Sequence, residues 1–108
     1  MSTQAQSTLT GSWVNEENIA HVEVQEEGSL FQGKIVWLAA KKAQSKVGTH
    51  VFIDLKPNGK GWEGKVYSVK REETYPATFA LKDGGNTLEI DIKVGFFSTT
   101  QTWTRLKL

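Results

Sequence analysis

The chain has 108 residues, of which 38% are hydrophobic and 23% charged, and its 13 basic and 12 acidic side chains leave a net charge of +1. This is the length of one domain with an ordinary globular composition. A charge so balanced sets up no field for nucleic acid or an anionic membrane, and no apolar run approaches the ~18–20 residues of a membrane-spanning helix. The absence of cysteine excludes disulfides, thiolate metal sites and a cysteine nucleophile.

The opening MSTQAQSTLT lacks the basic and apolar regions of a signal peptide. Residues 1–8 are expected to be a disordered polar tail, followed by a single domain over 9–108. Either the protein stays inside the cell or a leader has been removed from a periplasmic or secreted form. LTGSWV (9–14) begins the first strand. In IAHVEVQEE, Ala20, Val22 and Val24 alternate with His21, Glu23 and Gln25, the period of a half-buried strand. EEGSL turns the chain into LFQGKIVWL, where strict alternation puts Phe31, Ile35 and Trp37 on one face with Gly33. AAKKAQSK (39–46) is too short and polar for a packed helix and reads as a long loop.

THVFIDL (49–55) is strand-like, and KPNGKG is a hairpin turn. WEGKVYSV places Trp62 and Val66 on one face around Gly64, with Trp62 near a rim. YPATFALK aligns Tyr75, Ala77, Phe79 and Leu81, and DGGNT turns tightly into LEIDIKV, where Leu88, Ile90, Ile92 and Val94 oppose Glu89, Asp91 and Lys93. The last strand, QTWTRLKL, has threonine at alternate places but Trp103 and Arg105 on a shared face. About eight short strands joined mostly by hairpins predict an all-β, antiparallel, up-and-down barrel, because closure removes exposed edges.

The motifs that could carry chemistry all have plainer readings. Gly59, Gly64 and Lys65 have P-loop spacing, but Val66 replaces the magnesium-binding hydroxyl and no helix follows. His21 and His50 are the only histidines, short of the three or four ligands of a zinc site. The acidic pairs Glu16-Glu17, Glu26-Glu27 and Glu72-Glu73 fall at strand ends and turns rather than across a cleft. No serine sits in a nucleophile elbow, and the lysines are interleaved with acids, unlike the basic groove of a single-strand nucleic-acid binder. The chain reads as no enzyme, without metal or cofactor.

Gly11-Ser12-Trp13 near the start and Arg105 near the end resemble the signature of the calycin superfamily of lipocalins, fatty-acid-binding proteins and avidins. That resemblance implies neighbouring first and last strands, with Arg105 packed as a latch across Trp13 beside Gly11. A guanidinium on an indole contributes about 0.5–2 kcal/mol. GKIVWL (33–38), WEGKVY (62–67), TYPATFALKDGGNTLEI (74–90), VGFF (94–97) and TQTWTR (100–105) are similar to a bacterial lipocalin-like family, domain of unknown function 2147. LTGSWVN and WTRL are also similar to the end strands of avidins, which would put Asn15 at a biotin pocket.

Two functions follow as expectations. In one, the barrel binds a small hydrophobic or amphipathic ligand through Phe31, Ile35, Trp37, Trp62, Val66, Tyr75, Phe79 and Ile90, with Leu88 and Ile92 also inside. In the other, aromatic side chains fill the barrel, as an eight-stranded barrel permits. The protein then acts through its outer surface, as a homo-oligomer or on an envelope partner, with Trp103, Phe96 and Phe97 forming a sticky patch.

Overall fold

The computed structural model describes residues 8–106. The strands are β1 (Gly11–Asn15), β2 (Ala20–Glu27), β3 (Leu30–Leu38), β4 (His50–Asn58), β5 (Gly61–Ser68), β6 (Glu73–Lys82), β7 (Thr87–Val94) and β8 (Phe97–Arg105). Each pairs antiparallel with the next, and β8 pairs back onto β1 to close an up-and-down barrel. Most of the expected tail, residues 1–7, lies outside the described residues, as do 107 and 108.

Closure sorts the connections. The loops at 16–19, 39–49, 69–72 and 95–96 gather at one end, and the turns at 28–29, 59–60 and 83–86 at the other. The segment read as a long loop contains a 3₁₀ helix over Lys41–Lys46 with no buried residue. It is helical in geometry but contributes nothing to the core, as its polar sequence requires.

Inward-facing residues make one apolar core. Trp13, Val22, Val24, Phe52, Leu55, Phe79, Leu88 and Ile90 are essentially inaccessible, and among the described residues no polar or charged one is buried. Burying a side chain of this size contributes about 1.5–3 kcal/mol. Two bulges modify the alternation. His21 pairs with Trp37 but Val22 pairs with Ile35, so Val36 is an extra residue and the facing of β3 flips beyond it. Gly33 pairs with Phe52 while Lys34 pairs with His50, which leaves Val51 extra and turns both Val51 and Phe52 inward. Gly33 permits this packing, because a Cβ there would lie 2.7 Å from the Phe52 ring.

A third irregularity, near Asp54 of β4, is bridged by a side chain. The Gln32 amide nitrogen donates to the Asp54 carboxylate at 2.8 Å, and its oxygen accepts from the Asp54 backbone N–H at 3.0 Å. The side chain thus satisfies backbone that the disrupted ladder leaves unpaired.

Candidate functional site

The closed end is built around Arg105. It is the cross-strand partner of Trp13, and its guanidinium carbon lies 4.4 Å from the centre of the indole. Its three nitrogens donate to the carbonyls of Gly85, Thr10 and Thr8 at 2.9, 2.8 and 2.9 Å. One side chain therefore ties the β6–β7 turn to the segment leading into β1, and partial burial pulls its pKa below the ordinary guanidinium value. Thr8, assigned to the tail by sequence, is part of this closure. Leu9 is fully buried beneath it and its carbonyl accepts the Trp13 indole N–H at 3.0 Å. Gly11 has φ +133°, and a Cβ there would meet the guanidinium at 2.7 Å. Glycine is needed both for backbone geometry and for space.

Above this closure the barrel is filled only halfway. Phe31 meets Trp62 edge-on at 6.3 Å and Phe52 meets Phe79 at 5.4 Å. With Leu88 and Ile90 they occupy the closed half. The open half is a cavity of about 660 Å³. Phe52 and Trp103, in T-shaped contact at 5.4 Å, lie where the filled and hollow halves meet, and Val22, Ile35, Val51, Val66 and Ile92 line the wall.

Of the ligand-facing residues expected from sequence, the structure brings Ile35, Val66 and Tyr75 to this wall. Phe31, Trp62, Phe79 and Ile90 belong to the filled half and do not reach the cavity, because the closed-end turns draw their ends of the strands together over Leu9 and Trp13. Trp37 points outward. Beyond the Val36 bulge it is 42% exposed and stacks against His21 at 4.5 Å, while Leu38 takes the inward place. The filled barrel expected as an alternative thus describes one half only.

Trp103 is no part of an outer patch: it is buried and faces the cavity. Its shared parity with Arg105 was the signal, since a residue two places from an inward latch is also inward. Phe96 and Phe97 are exposed at the β7–β8 turn, and Phe97 also edges the cavity mouth. The alternating threonines, Thr100, Thr102 and Thr104, take the opposite face of β8 from Trp103 and Arg105.

Sequence reasoning missed Val51 and Phe52, whose adjacent apolar residues signal a bulge rather than alternation. Asn15, which the avidin resemblance put at a pocket, does reach the cavity, but the rest of the polar wall was missed: Ser68, Thr99 and Gln101, together with Lys46, Lys70 and Arg71 at the mouth. The Asn15 amide oxygen accepts from the N–H groups of Ile19 and Ala20, which ties it to the β1–β2 loop. Gln101 accepts the Trp103 indole N–H at 3.1 Å. The Tyr75 hydroxyl donates to Glu73 at 2.6 Å, and this bond raises the phenol's pKa above 10.0. Among the described residues no group of three or more metal-ligating side chains forms.

A family described as "Uncharacterized protein conserved in bacteria (DUF2147)" matches residues 11–105. The fold is similar to that of protein HP1028 from the human pathogen Helicobacter pylori, described as belonging to the lipocalin family. The two share 22% identity and a TM-score of 0.71, over 93% of this chain and 84% of that one. No curated protein matches this sequence.

Proposed function

Because the chain belongs to the DUF2147 family of bacterial proteins and folds as a lipocalin-like barrel, we propose that it binds a small apolar or amphipathic molecule in the open half of that barrel, without catalysis. The observation that carries this reading is the cavity itself. Its volume of about 660 Å³ falls within the roughly 300–1,000 Å³ typical of small-molecule sites. Its wall is aliphatic and aromatic, with a few polar groups in Asn15, Thr99 and Gln101, the balance by which such sites orient a ligand. A binding role also accords with the chemistry of the wall. No histidine lines it, and the Ser68 hydroxyl accepts a backbone N–H from Arg71 rather than facing a base.

The test is a titration with N-phenyl-1-naphthylamine, a neutral probe that fluoresces in apolar surroundings. Saturable binding of one probe per chain is expected, with a melting temperature that rises with probe concentration as mass action requires. No saturable signal up to the probe's solubility limit, with no thermal shift, overturns the reading.

One observation favours action through the outer surface as well. Phe96 and Phe97 project from the β7–β8 turn, the latter 69% exposed, and exposed apolar groups of this kind mark contact sites. Self-association that Phe96→Ser abolishes would support it.

A further inference from the structure

We propose that the cavity takes an amphiphile with an anionic headgroup, a carboxylate or a phosphate monoester, held at the mouth by Lys46, Lys70 and Arg71 with its tail toward Phe52 and Trp103. This rests on the ligand-binding reading above and narrows it to a chemical class.

The charge on the cavity wall has one sign. Lys46, Lys70 and Arg71 line it, and no aspartate or glutamate does, although the whole chain is nearly neutral at +1. Acids do lie at this end, Glu16, Glu17 and Glu72 in the loops and Glu73 at the start of β6, but all four are exposed and off the wall. Glu73 accepts the hydroxyl of Tyr75. Selectivity is therefore local to the cavity rather than a long-range field.

None of these three cations is held in an ion pair among the described residues, although Arg71 shares the Tyr75 hydroxyl as a neighbour with Glu73. Among the described residues the ion pairs are Lys56–Glu63 and Lys82–Glu89, on strands that run to the closed end. Position supplies the third argument. Lys46 comes from the 39–49 loop and Lys70 and Arg71 from the 69–72 loop, which are neighbours because β4 pairs with β5. On the other side of the mouth, Phe97 at the start of β8 and Ile19 in the β1–β2 loop are brought together by β8 pairing with β1. The mouth therefore has a basic side and an apolar side over an apolar floor. A ligand that satisfies all three has a charged end in water and a hydrocarbon body below it. Each exposed contact between opposite charges is modest, and three together favour an anionic headgroup over a neutral one by about tenfold.

The experiment uses the full chain and displacement of N-phenyl-1-naphthylamine by decanoate, decyl phosphate, decanol and decyltrimethylammonium, with acetate and inorganic phosphate as headgroups lacking tails. Decanoate and decyl phosphate are expected to bind about tenfold tighter than decanol. That advantage should shrink as salt is added and disappear in the K46Q/K70Q/R71Q variant, while affinity for decanol stays unchanged. Acetate and inorganic phosphate should not displace the probe.

Equal affinity for decanol and decanoate, or an advantage that survives in the triple variant, overturns the headgroup assignment and leaves the ligand-binding barrel standing. Binding of inorganic phosphate as tight as that of decyl phosphate overturns the amphiphile in favour of a simple anion site. Failure of the probe and of every amphiphile to bind overturns the ligand-binding reading itself.

Discussion

The guanidinium of Arg105 lies 4.4 Å from the centre of the Trp13 ring while donating to three backbone carbonyls from two separate parts of the chain. One side chain thereby joins the first strand, the last strand, the entering segment and the β6–β7 turn. Replacing it by alanine removes the cation–π contact and orphans carbonyls near the buried Leu9. Arg105→Ala should cost about 2–3 kcal/mol, and Arg105→Lys most of that, because an ammonium cannot serve the same fork of acceptors. Denaturant melts followed by circular dichroism read both, and an unchanged midpoint for Arg105→Ala means the contact is ornamental.

Gly11→Ala tests the space beneath that contact. The new Cβ meets the guanidinium and also forces φ +133° on an L residue, so a loss of about 2 kcal/mol is expected. In an Arg105→Ala background the steric part vanishes and only the backbone part remains. A double-mutant cycle should therefore show strong coupling. Additive losses would separate the two residues.

Trp37→Ala decides the facing of β3. If the tryptophan is outside, against His21, the substitution costs about 1 kcal/mol, whereas loss of a core tryptophan costs about 3–5 kcal/mol. A loss in the higher range would remove the Val36 bulge from the account.

Trp103 is the tryptophan that lines the cavity, so it should report occupancy. Probe or ligand binding should change the intrinsic fluorescence. Trp103→Phe should remove most of that change, whereas Trp37→Phe and Trp62→Phe should leave it. A response that survives Trp103→Phe places the ligand elsewhere.

Tyr75 supplies a pH dependence. Its neutral hydroxyl donates to the Glu73 carboxylate, and ionisation both breaks that bond and sets two negative charges side by side; the nearby Arg71 pulls weakly the other way. The folded-state pKa therefore stands above the unfolded value near 10.0. The stabilisation is fully present below that value and is lost as pH rises through the higher folded one. In a Tyr67→Phe background, tyrosinate absorbance should rise above pH 10.0, and Glu73→Gln should move the rise downward.

The sequence by itself determined the barrel and its seam. Period-2 alternation, turn-forming glycines and the spacing of GSW and Arg105 are local or pairwise signals, and each is legible because strand geometry alternates faces regardless of what lies beyond. The same rule failed wherever the strand was not regular. Trp37 was misplaced because one inserted residue at Val36 inverts every facing after it, and Phe52 was overlooked because Val51 breaks the alternation beside it.

What only the tertiary structure decided is which inward residues enclose space. Facing distinguishes inside from outside but not depth along the barrel. Ile35 and Phe31 share a face of one strand, yet Ile35 lines the cavity while Phe31 packs in the filled half. The difference arises because the chain entering β1 folds under one end, held by Arg105, while the long loops leave the other end open. Lys46, Lys70 and Arg71 show the same limit. They are loop residues with no periodicity to place them, and only the pairing of β4 with β5 sets their two loops side by side at one mouth.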